Sequence, residues 1–187
     1  MCTHHSHAPR PLHSRPLHSR RRILSGLAAA TALSALPLRP ALAAASPIDL
    51  PPPGPRDTCP VCGMFVSKYP EWVATVLYDD GNAVHFDGAK DFFKYLADMP
   101  KYAPDRAVEQ ITGMGVTEYY GLKMVEARSA QYVIGSDTYG PMGHELIPLM
   151  TDLDAADFMK DHAGKRLLGF DDVTPEILAG LDQGTFE

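Results

Sequence analysis

The pattern of apolar and polar positions is clearest from residue 72 to residue 86, where side chains alternate with the two-residue period of a β-strand. Val73, Thr75 and Leu77 would share one face of that strand. Residues 79–82 (DDGN) have the composition of a tight turn, and the run AVHF at 83–86 follows at once. The pattern therefore predicts a β-hairpin.

A helical spacing replaces this alternation after residue 86. We predict that Asp87 caps the start of an α-helix, because a carboxylate there can accept from the free amides of the first turn. Pro100 is predicted to end the helix, since proline lacks the amide hydrogen that a helix interior requires. The apolar face predicted for this helix consists of Phe92, Phe93, Leu96 and Met99.

A second succession of strands and helices is predicted further along the chain. Its boundaries come from apolar runs, from turn residues and from residue types that commonly cap helices. The predicted elements are strands over 117–127 (interrupted at Gly121), 131–134, 145–150 and 166–170, a helix capped by Asp152 or Asp154 and ended at Gly164, and a last helix opened by Thr174 and Pro175.

The first and second predicted helices are similar in sequence. AKDFFK at 89–94 aligns with AADFMK at 155–160, and each follows a short apolar strand. Two amphipathic helices can agree by coincidence because they use few residue types, but agreement in strand–helix order also favours an internal duplication. The predicted fold is α+β, with two similar ββαβ units at about 58–128 and 129–187 that form one compact region.

The first 43 residues have the features of an export signal. SRRRIL at 19–24 matches a twin-arginine signal, and ALA at 41–43 provides the small residues of a cleavage site. The apolar run over 23–38 is shorter than the ~20 residues that span a bilayer. We therefore predict a cleaved signal peptide over 1–43, a periplasmic location without stable membrane insertion, and a proline-rich tether over 44–57.

Removal of that segment changes the charge of the chain. Of the 17 basic residues, six arginines lie within residues 1–43, and no acidic residue does, so the remainder carries 11 basic and 23 acidic residues. The net charge falls from −6 for the whole chain to −12 for the remainder. This charge repels phosphate backbones, so we predict that the protein does not bind nucleic acid.

The six residues CPVCGM at 59–64 carry the most distinctive chemistry. A structural zinc site needs four ligands, and in the predicted mature chain this single pair is accompanied only by His85, His144 and His162, which lie at no zinc-finger spacing. A thioredoxin-like redox pair should lie between a strand and a long helix, whereas CPVCGM precedes a hairpin. Zinc and redox chemistry therefore remain open alternatives with weaker support.

Copper(I) suits the sulfur atoms of this stretch better, because it is a soft cation that prefers thiolate and thioether ligands. In an extended segment, Cys62 and Met64 would present two sulfur atoms on the same face. Cys59 lies three positions earlier and could join them only if the chain turns at Pro60. Such a thiol pair is expected to form a disulfide in the periplasm unless a metal or a reductant protects it.

A second sulfur atom with unusual surroundings lies in GPMGH at 140–144. Glycine and proline on both sides disfavour a buried strand, so Met142 is expected on an exposed loop. An exposed thioether in such a loop is unfavourable unless it binds something, and His144 adds a nitrogen ligand two positions later. On residue chemistry, these positions are further candidates for a copper site.

Together these stretches resemble the NosL family, the envelope copper chaperones associated with nitrous oxide reductase. The resemblance extends from Cys59 to about Phe170, so it covers most of the predicted domain over 58–187. It is carried by the order of four segments: CPVCGM at 59–64, FD at 86–87, YVIGS at 132–136 and GPMGHELIP at 140–148.

The resemblance implies a Cu(I)-binding metallochaperone, not an enzyme, with a fold of two ββαβ halves. It implies that Cys62, Met64 and Met142 bind Cu(I), with Cys59 and His144 as further candidates, and that apo nitrous oxide reductase receives the copper for its copper–sulfide centre. Many family members are lipoproteins, but no Leu-x-x-Cys follows the apolar run here, which predicts a soluble form. The alternative is a periplasmic CxxC thiol–disulfide oxidoreductase, which would need both cysteines equally.

Overall fold

The computed structural model describes residues 45–187, and the predicted signal peptide lies outside them. These residues lie within one compact unit. None of their helices is both long and apolar enough to cross a membrane. The described elements are β1 (Ala74–Tyr78), β2 (Ala83–Phe86), α1 (Ala89–Ala97), α2 (Met99–Tyr102), β3 (Ile111–Thr117), β4 (Met124–Glu126), β5 (Gln131–Ile134), β6 (Tyr139–Gly140), β7 (Gly143–His144), β8 (Ile147–Leu149), α3 (Asp152–Asp161), β9 (Arg166–Leu168) and α4 (Pro175–Gln183).

The first sheet has the strand order β2-β1-β3-β4, with every pair antiparallel. Strands β1 and β2 form the predicted hairpin, in register from Ala74 opposite Phe86 to Leu77 opposite Ala83. Helix α1 contacts both strands of this hairpin. The hairpin predicted from alternation and turn chemistry is therefore confirmed.

The second sheet has the order β8-β5-β9, again antiparallel, and α3 contacts all three of its strands. In the first sheet, β1 pairs with the strand before the helix (β2) on one side and with the strand after it (β3) on the other; β5 pairs in the same way with β8 and β9. The α+β class is confirmed, and the order β2-β1-β3 has the same topology as β8-β5-β9. The duplication of sequence itself stays a prediction.

A single group of buried side chains joins the two sheets. Aromatic rings dominate it: the centroid of the Phe93 ring lies 5.0 Å from that of Tyr132 and 5.1 Å from that of Phe170. Phe93 belongs to α1 and Tyr132 to β5, so this contact connects the two parts of the fold. Burying each such ring contributes roughly 1.5–3 kcal/mol, which makes this contact a major link between the two sheets.

The predicted helix boundaries are wrong at two positions near α1. The N-cap of α1 is Gly88, and no side chain caps the helix. Asp87 does not cap it, because its carboxylate accepts from the thiol of Cys62. Pro100 does not end the helical region either, since it occupies the first turn of α2, where a missing amide hydrogen costs nothing.

The cap predicted for α3 is also wrong. Its N-cap is Thr151, whose hydroxyl accepts from the amide of Asp154. The prediction for the last helix is confirmed, because Thr174 caps α4 by accepting from Ile177 and Pro175 follows in the first turn. Two aspartates next to a threonine left several possible caps for α3, whereas α4 had one.

The strand predicted over 117–127 begins too late. The chain is already in β3 from Ile111 to Thr117, then turns, and only Met124–Glu126 forms β4. Glycine at position 115 hid β3 from the sequence pattern, because glycine weakens strand propensity. A Cβ there would lie 2.6 Å from the sulfur of Met124 and 2.8 Å from Leu50, so a larger residue would force these two side chains to move.

Part of the proline-rich segment lies along β4. The amide of Ile48 donates to the carbonyl of Met124 at 3.1 Å, and the amide of Glu126 donates to the carbonyl of Ser46 at 2.9 Å. These hydrogen bonds hold the start of the segment against the edge of the first sheet.

Candidate metal centre

The CPVCGM stretch forms a closed turn. The amide of Cys59 donates to the carbonyl of Met64 at 2.9 Å, and the amide of Gly63 donates to the carbonyl of Cys59 at 2.8 Å. Gly63 has φ +79°, a left-handed conformation that glycine adopts without strain. The extended geometry predicted around this residue is therefore wrong. The turn at Pro60 meets the condition under which Cys59 could lie near Cys62.

Two aspartates from the start of α1 face this turn. Asp87 lies between β2 and α1, and Asp91 lies in the first turn of α1. Both are almost completely buried, with 1% and 2% exposure. The positive end of the α1 dipole stabilises carboxylates at this position. The two acids are therefore held in place by the junction between a strand and a helix.

The two cysteines and the two aspartates form one cluster. The thiol of Cys59 donates to Oδ2 of Asp91 at 3.4 Å, and that of Cys62 donates to Oδ1 of Asp87 at 3.1 Å. One ligand atom from each of the four residues lies within 4.8 Å of every other. Among the described residues this is a donor set that could hold a metal ion.

Sequence reasoning found the two cysteines of this cluster and missed the aspartates as site residues. Asp87 was assigned a structural role at a helix start, and Asp91 was not singled out. A spacing of four residues at the start of a helix was the available signal, because it places two side chains on neighbouring turns. That spacing is common in exposed helices. It indicates a metal site here only because the CPVCGM turn lies next to the two aspartates.

The environment of the thiols keeps them protonated in the absence of metal. Burial raises the pKa of the Cys59 thiol to about 12, although backbone hydrogen bonds oppose the shift. Burial also raises the pKa of Cys62, and its hydrogen bond to Asp87 adds to the effect. Since a metal binds the thiolate, a metal ion has to displace both protons.

Met142 lies on a loop that reaches the start of α1. Its side chain is 43% exposed, and its carbonyl accepts from the ammonium group of Lys90 at 2.8 Å. Lys90 directly precedes Asp91, so the backbone at position 142 is fixed next to the helical turn that belongs to the cluster. Met64 is half-buried at the end of the CPVCGM turn. The structure thus brings the Met142 loop to the same helix end as the four clustered residues.

His144 is placed differently. Its ring packs against Tyr139, with centroids 4.8 Å apart, and against Phe186 at 4.9 Å. It is not among the residues of the described part of the chain that form the cluster. These two aromatic contacts fix the position of the ring.

Glu145 connects the Met142 loop to α1. This buried carboxylate accepts from the amide of Lys90 at 2.8 Å and from the amide of Leu146 at 3.1 Å. A Cβ at Gly88 or Gly140 would collide with the Glu145 side chain, so both positions require glycine. Burial raises the pKa of Glu145 to about 8, against the opposing effect of the Lys90 amide and charge. The buried and closely packed side chain of Glu145 therefore holds the Met142 loop in place.

Both the sequence and the fold of this chain are similar to those of known proteins. Residues 52–178 match the NosL family model, which is about two-thirds of the 187-residue chain. The fold is similar to the crystal structure of the copper chaperone NosL from Shewanella denitrificans, with 24% identity and a TM-score of 0.57, over 70% of this chain and 99% of that chain.

A weaker similarity is to the solution structure of apo-NosL from Achromobacter cycloclastes, with 22% identity and a TM-score of 0.40 over 56% of this chain and 87% of that chain. No curated protein matches the chain. The family model spans well over half of the sequence and includes the CPVCGM turn, both aspartates and the Met142 loop. The resemblance inferred from the sequence is thereby confirmed, and the chain belongs to the NosL family.

Proposed function

We propose that this protein is a periplasmic metallochaperone that binds Cu(I) and delivers it to apo nitrous oxide reductase for assembly of the copper–sulfide centre. Membership of a family with copper chaperones among its solved structures supports the metal and the carrier role. The observation that carries the proposal is the meeting of the CPVCGM turn with a helix end to which the Met142 loop is also fixed. The periplasmic location in this proposal depends on the twin-arginine signal predicted from the sequence.

The proposed Cu(I) ligands are Cys62, Met64 and Met142. Cu(I) prefers soft sulfur, and these three sulfur atoms belong to side chains that are half-buried or exposed. Cys59 is almost completely buried and is a secondary ligand in this proposal. His144 ranks last, because binding would cost its packing between two aromatic rings.

This arrangement suits transfer better than storage. Three ligands on two separate loops can be replaced one at a time by ligands of an acceptor, whereas a closed four-ligand cage would release the ion slowly. Met142 is the most exposed of the three, so its thioether is the first that an acceptor could displace. A carrier of this kind exchanges ligands and needs no catalytic group.

The alternative function is a thiol–disulfide oxidoreductase, since both cysteines are free and close together. The nucleophile in that reaction is a thiolate, and catalytic CxxC pairs have at least one cysteine with a lowered pKa. Here burial raises the pKa of both Cys59 and Cys62. The raised pKa values therefore count against the oxidoreductase function.

Transfer to the proposed acceptor tests the function directly. Reduced protein loaded with Cu(I) is mixed with apo nitrous oxide reductase in the presence of a Cu(I) chelator, and the copper content of the separated reductase is measured. We expect more copper in the reductase than from the same chelator-buffered Cu(I) without the protein. Equal copper content in the two experiments would contradict delivery while leaving copper binding itself intact.

Changing Met142 to leucine should weaken Cu(I) binding by about tenfold or more, because it removes a soft ligand and keeps volume and hydrophobicity. Competition with a colorimetric Cu(I) chelator measures the affinity, and circular dichroism should show unchanged secondary structure. The matched control is Met159→Leu on α3, outside the site, which should leave the affinity unchanged. If the two variants bind Cu(I) as tightly as the unaltered protein, Met142 is not a ligand.

A further inference from the structure

We propose that an apolar groove beside the β3–β4 turn is a docking surface for a basic segment of a partner protein, with Leu122 as its central apolar contact. The groove (the Leu122 groove) has two parts, which share Leu122 and Thr117. The described residues that line it include none of the clustered metal-site residues and none of the proposed Cu(I) ligands. The inference therefore goes beyond the copper function and does not rest on it.

The lining of the Leu122 groove is largely apolar. Its wider part has a volume of about 420 Å³ and is lined by residues that include Leu50, Pro51, Pro52, Pro53, Val73 and Met124. Proline has no amide hydrogen, so this wall presents apolar surface without backbone donors. The narrower part is a cavity of about 80 Å³ between Trp72, Tyr119 and Pro148. Concave surfaces of this composition accept the aliphatic or aromatic side chains of a ligand.

Leu122 combines an unfavourable backbone conformation with exposure to solvent. Its φ angle is +51°, in the left-handed region that a bulky residue seldom adopts. Its side chain is 62% exposed, so packing within this chain does little to offset that strain. Strained residues persist only where the surrounding structure imposes them, and they are frequent at binding sites. The strain at Leu122 therefore points to a contact outside this chain.

The turn that presents Leu122 is fixed by Glu118, whose side chain is almost completely buried. The Glu118 carboxylate accepts from the amide of Tyr120 at 2.9 Å and from the amide of Gly121 at 2.6 Å. The backbone carbonyl of Glu118 accepts from the amide of Leu122 at 3.0 Å. Because these hydrogen bonds hold the turn in one conformation, a partner would meet Leu122 already in position, and little conformational entropy would be lost on binding.

Negative charge lies beside the narrower part of the groove. Tyr119, which lines that part, packs against Tyr120, with ring centroids 5.2 Å apart. Partial desolvation raises the pKa of the Tyr120 hydroxyl, and the nearby carboxylates of Asp161, Asp157 and Asp154 on α3 raise it further. A segment that carries lysine or arginine next to apolar side chains would therefore complement both the lining and its acidic border.

Two other occupants are less compatible with the charge of the chain. The residues beyond 43 carry 11 basic and 23 acidic residues, a net charge of −12. A second copy of the chain would bring the same charge to the interface, and an anionic lipid surface would also be repelled. Glu71, in the lining of the narrower part, adds a carboxylate within the groove itself. The apolar lining and the charge together favour a basic protein segment.

Trp72 provides a measurement at the groove itself, because it lines the narrower part and is the single tryptophan of the chain. The probe is a capped pentapeptide of alternating leucine and lysine, added to the reduced, metal-free full-length protein while Trp72 fluorescence is recorded. We expect a saturable change with this peptide. A peptide with glutamate in place of lysine, and one with serine in place of leucine, should give no saturable change. Absence of a change with the first peptide, or equal changes with all three, would overturn the proposal.

Leu122→Asn removes the apolar contact and keeps the backbone conformation, since asparagine tolerates the left-handed region. The affinity for the peptide should fall by about tenfold or more, the loss expected for one buried apolar side chain. The urea midpoint of unfolding should not fall, because the side chain is mostly exposed. The matched control is Ala163→Asn, at an exposed residue with φ +52°, which should leave peptide affinity unchanged. Cu(I) affinity should be the same in both variants. An unchanged peptide affinity in Leu122→Asn, or a clearly lowered midpoint in that variant alone, would overturn the proposal.

A double variant, Asp157→Asn with Asp161→Asn, tests the acidic border. It should weaken peptide binding by about threefold at low salt, as expected for exposed ion pairs, and the loss should disappear at high salt. The control is Asp105→Asn with Glu109→Gln, which removes the same charge before the start of β3 and should have little effect. Equal losses in the two double variants would show attraction by net charge alone and overturn the proposal. A dimer of the unaltered protein that Leu122→Asn dissociates, or a Trp72 response to vesicles of anionic phospholipid, would assign the groove to another occupant and overturn it as well.

Discussion

Replacing Cys62 by serine should lower the affinity for Cu(I) by at least about 100-fold, more than the 10- to 100-fold loss typical when a supporting residue is removed. Cys62 provides the thiolate of the proposed ligand set, and a hydroxyl is a poor ligand for a soft cation. Serine can still donate to Asp87, so the turn should keep its shape. Chelator competition gives the affinity, and circular dichroism checks the fold.

Cys59→Ser is the matched control for this experiment. It removes the other thiol of the same turn, one that is more deeply buried and secondary in the proposed Cu(I) set. Its effect on Cu(I) affinity should therefore be smaller than that of Cys62→Ser. An oxidoreductase would lose its activity equally in both variants. If both variants lost disulfide-exchange activity equally and kept the Cu(I) affinity of the unaltered protein, the result would contradict the copper carrier and support the redox function.

Replacing Glu145 by glutamine should remove a strong pH dependence of stability. Burial raises the pKa of Glu145 from 4.5 to about 8, so the folded protein keeps a proton that the unfolded chain releases. The stabilisation from this group is complete below about pH 4.5 and is lost as the pH rises through about 8. A shift of this size corresponds to roughly 3–5 kcal/mol in the free energy of unfolding.

Urea unfolding of the reduced, metal-free protein at pH 5, 7 and 8.5 measures this dependence. Glutamine has nearly the same shape and still accepts from the Lys90 amide, but it has no proton to lose. The variant should therefore lose less stability than the unaltered protein between pH 5 and pH 8.5. Glu109→Gln, at an exposed carboxylate, is the control and should leave the dependence as it is. Parallel curves for Glu145→Gln and the unaltered protein would show that Glu145 is ionised in the folded state.

Local patterns were sufficient for much of the fold. The β1–β2 hairpin and the Thr174 cap of α4 depend on neighbours in sequence, so alternation, turn residues and capping chemistry predicted them. Strand β3 was missed because it contains Gly115, a residue that weakens strand propensity. The glycine there packs closely against Met124 and Leu50, which come from other parts of the chain. Where a residue's role was decided by a distant partner, local reasoning assigned the wrong role or none.

Asp87 shows this most clearly. From the sequence, Asp87 is predicted to cap a helix, since an aspartate before an amphipathic run commonly does so. In the structure its carboxylate accepts from a thiol 25 positions away in sequence, and Gly88 takes the cap position. Packing decides whether this carboxylate accepts from a local amide or from a distant thiol. The sequence pattern contains no information on that packing.

The sequence by itself determined the sulfur-bearing stretches CPVCGM and GPMGH, the α+β class and the family, because each depends on residue types in a fixed order. Only the tertiary structure decided that Asp87 and Asp91 complete a cluster with the two cysteines, and that Glu145 fixes the Met142 loop to α1. These contacts join residues that are 25 to 55 positions apart. They form because two sheets bury a common aromatic core, which brings a turn, a helix end and a loop to one place.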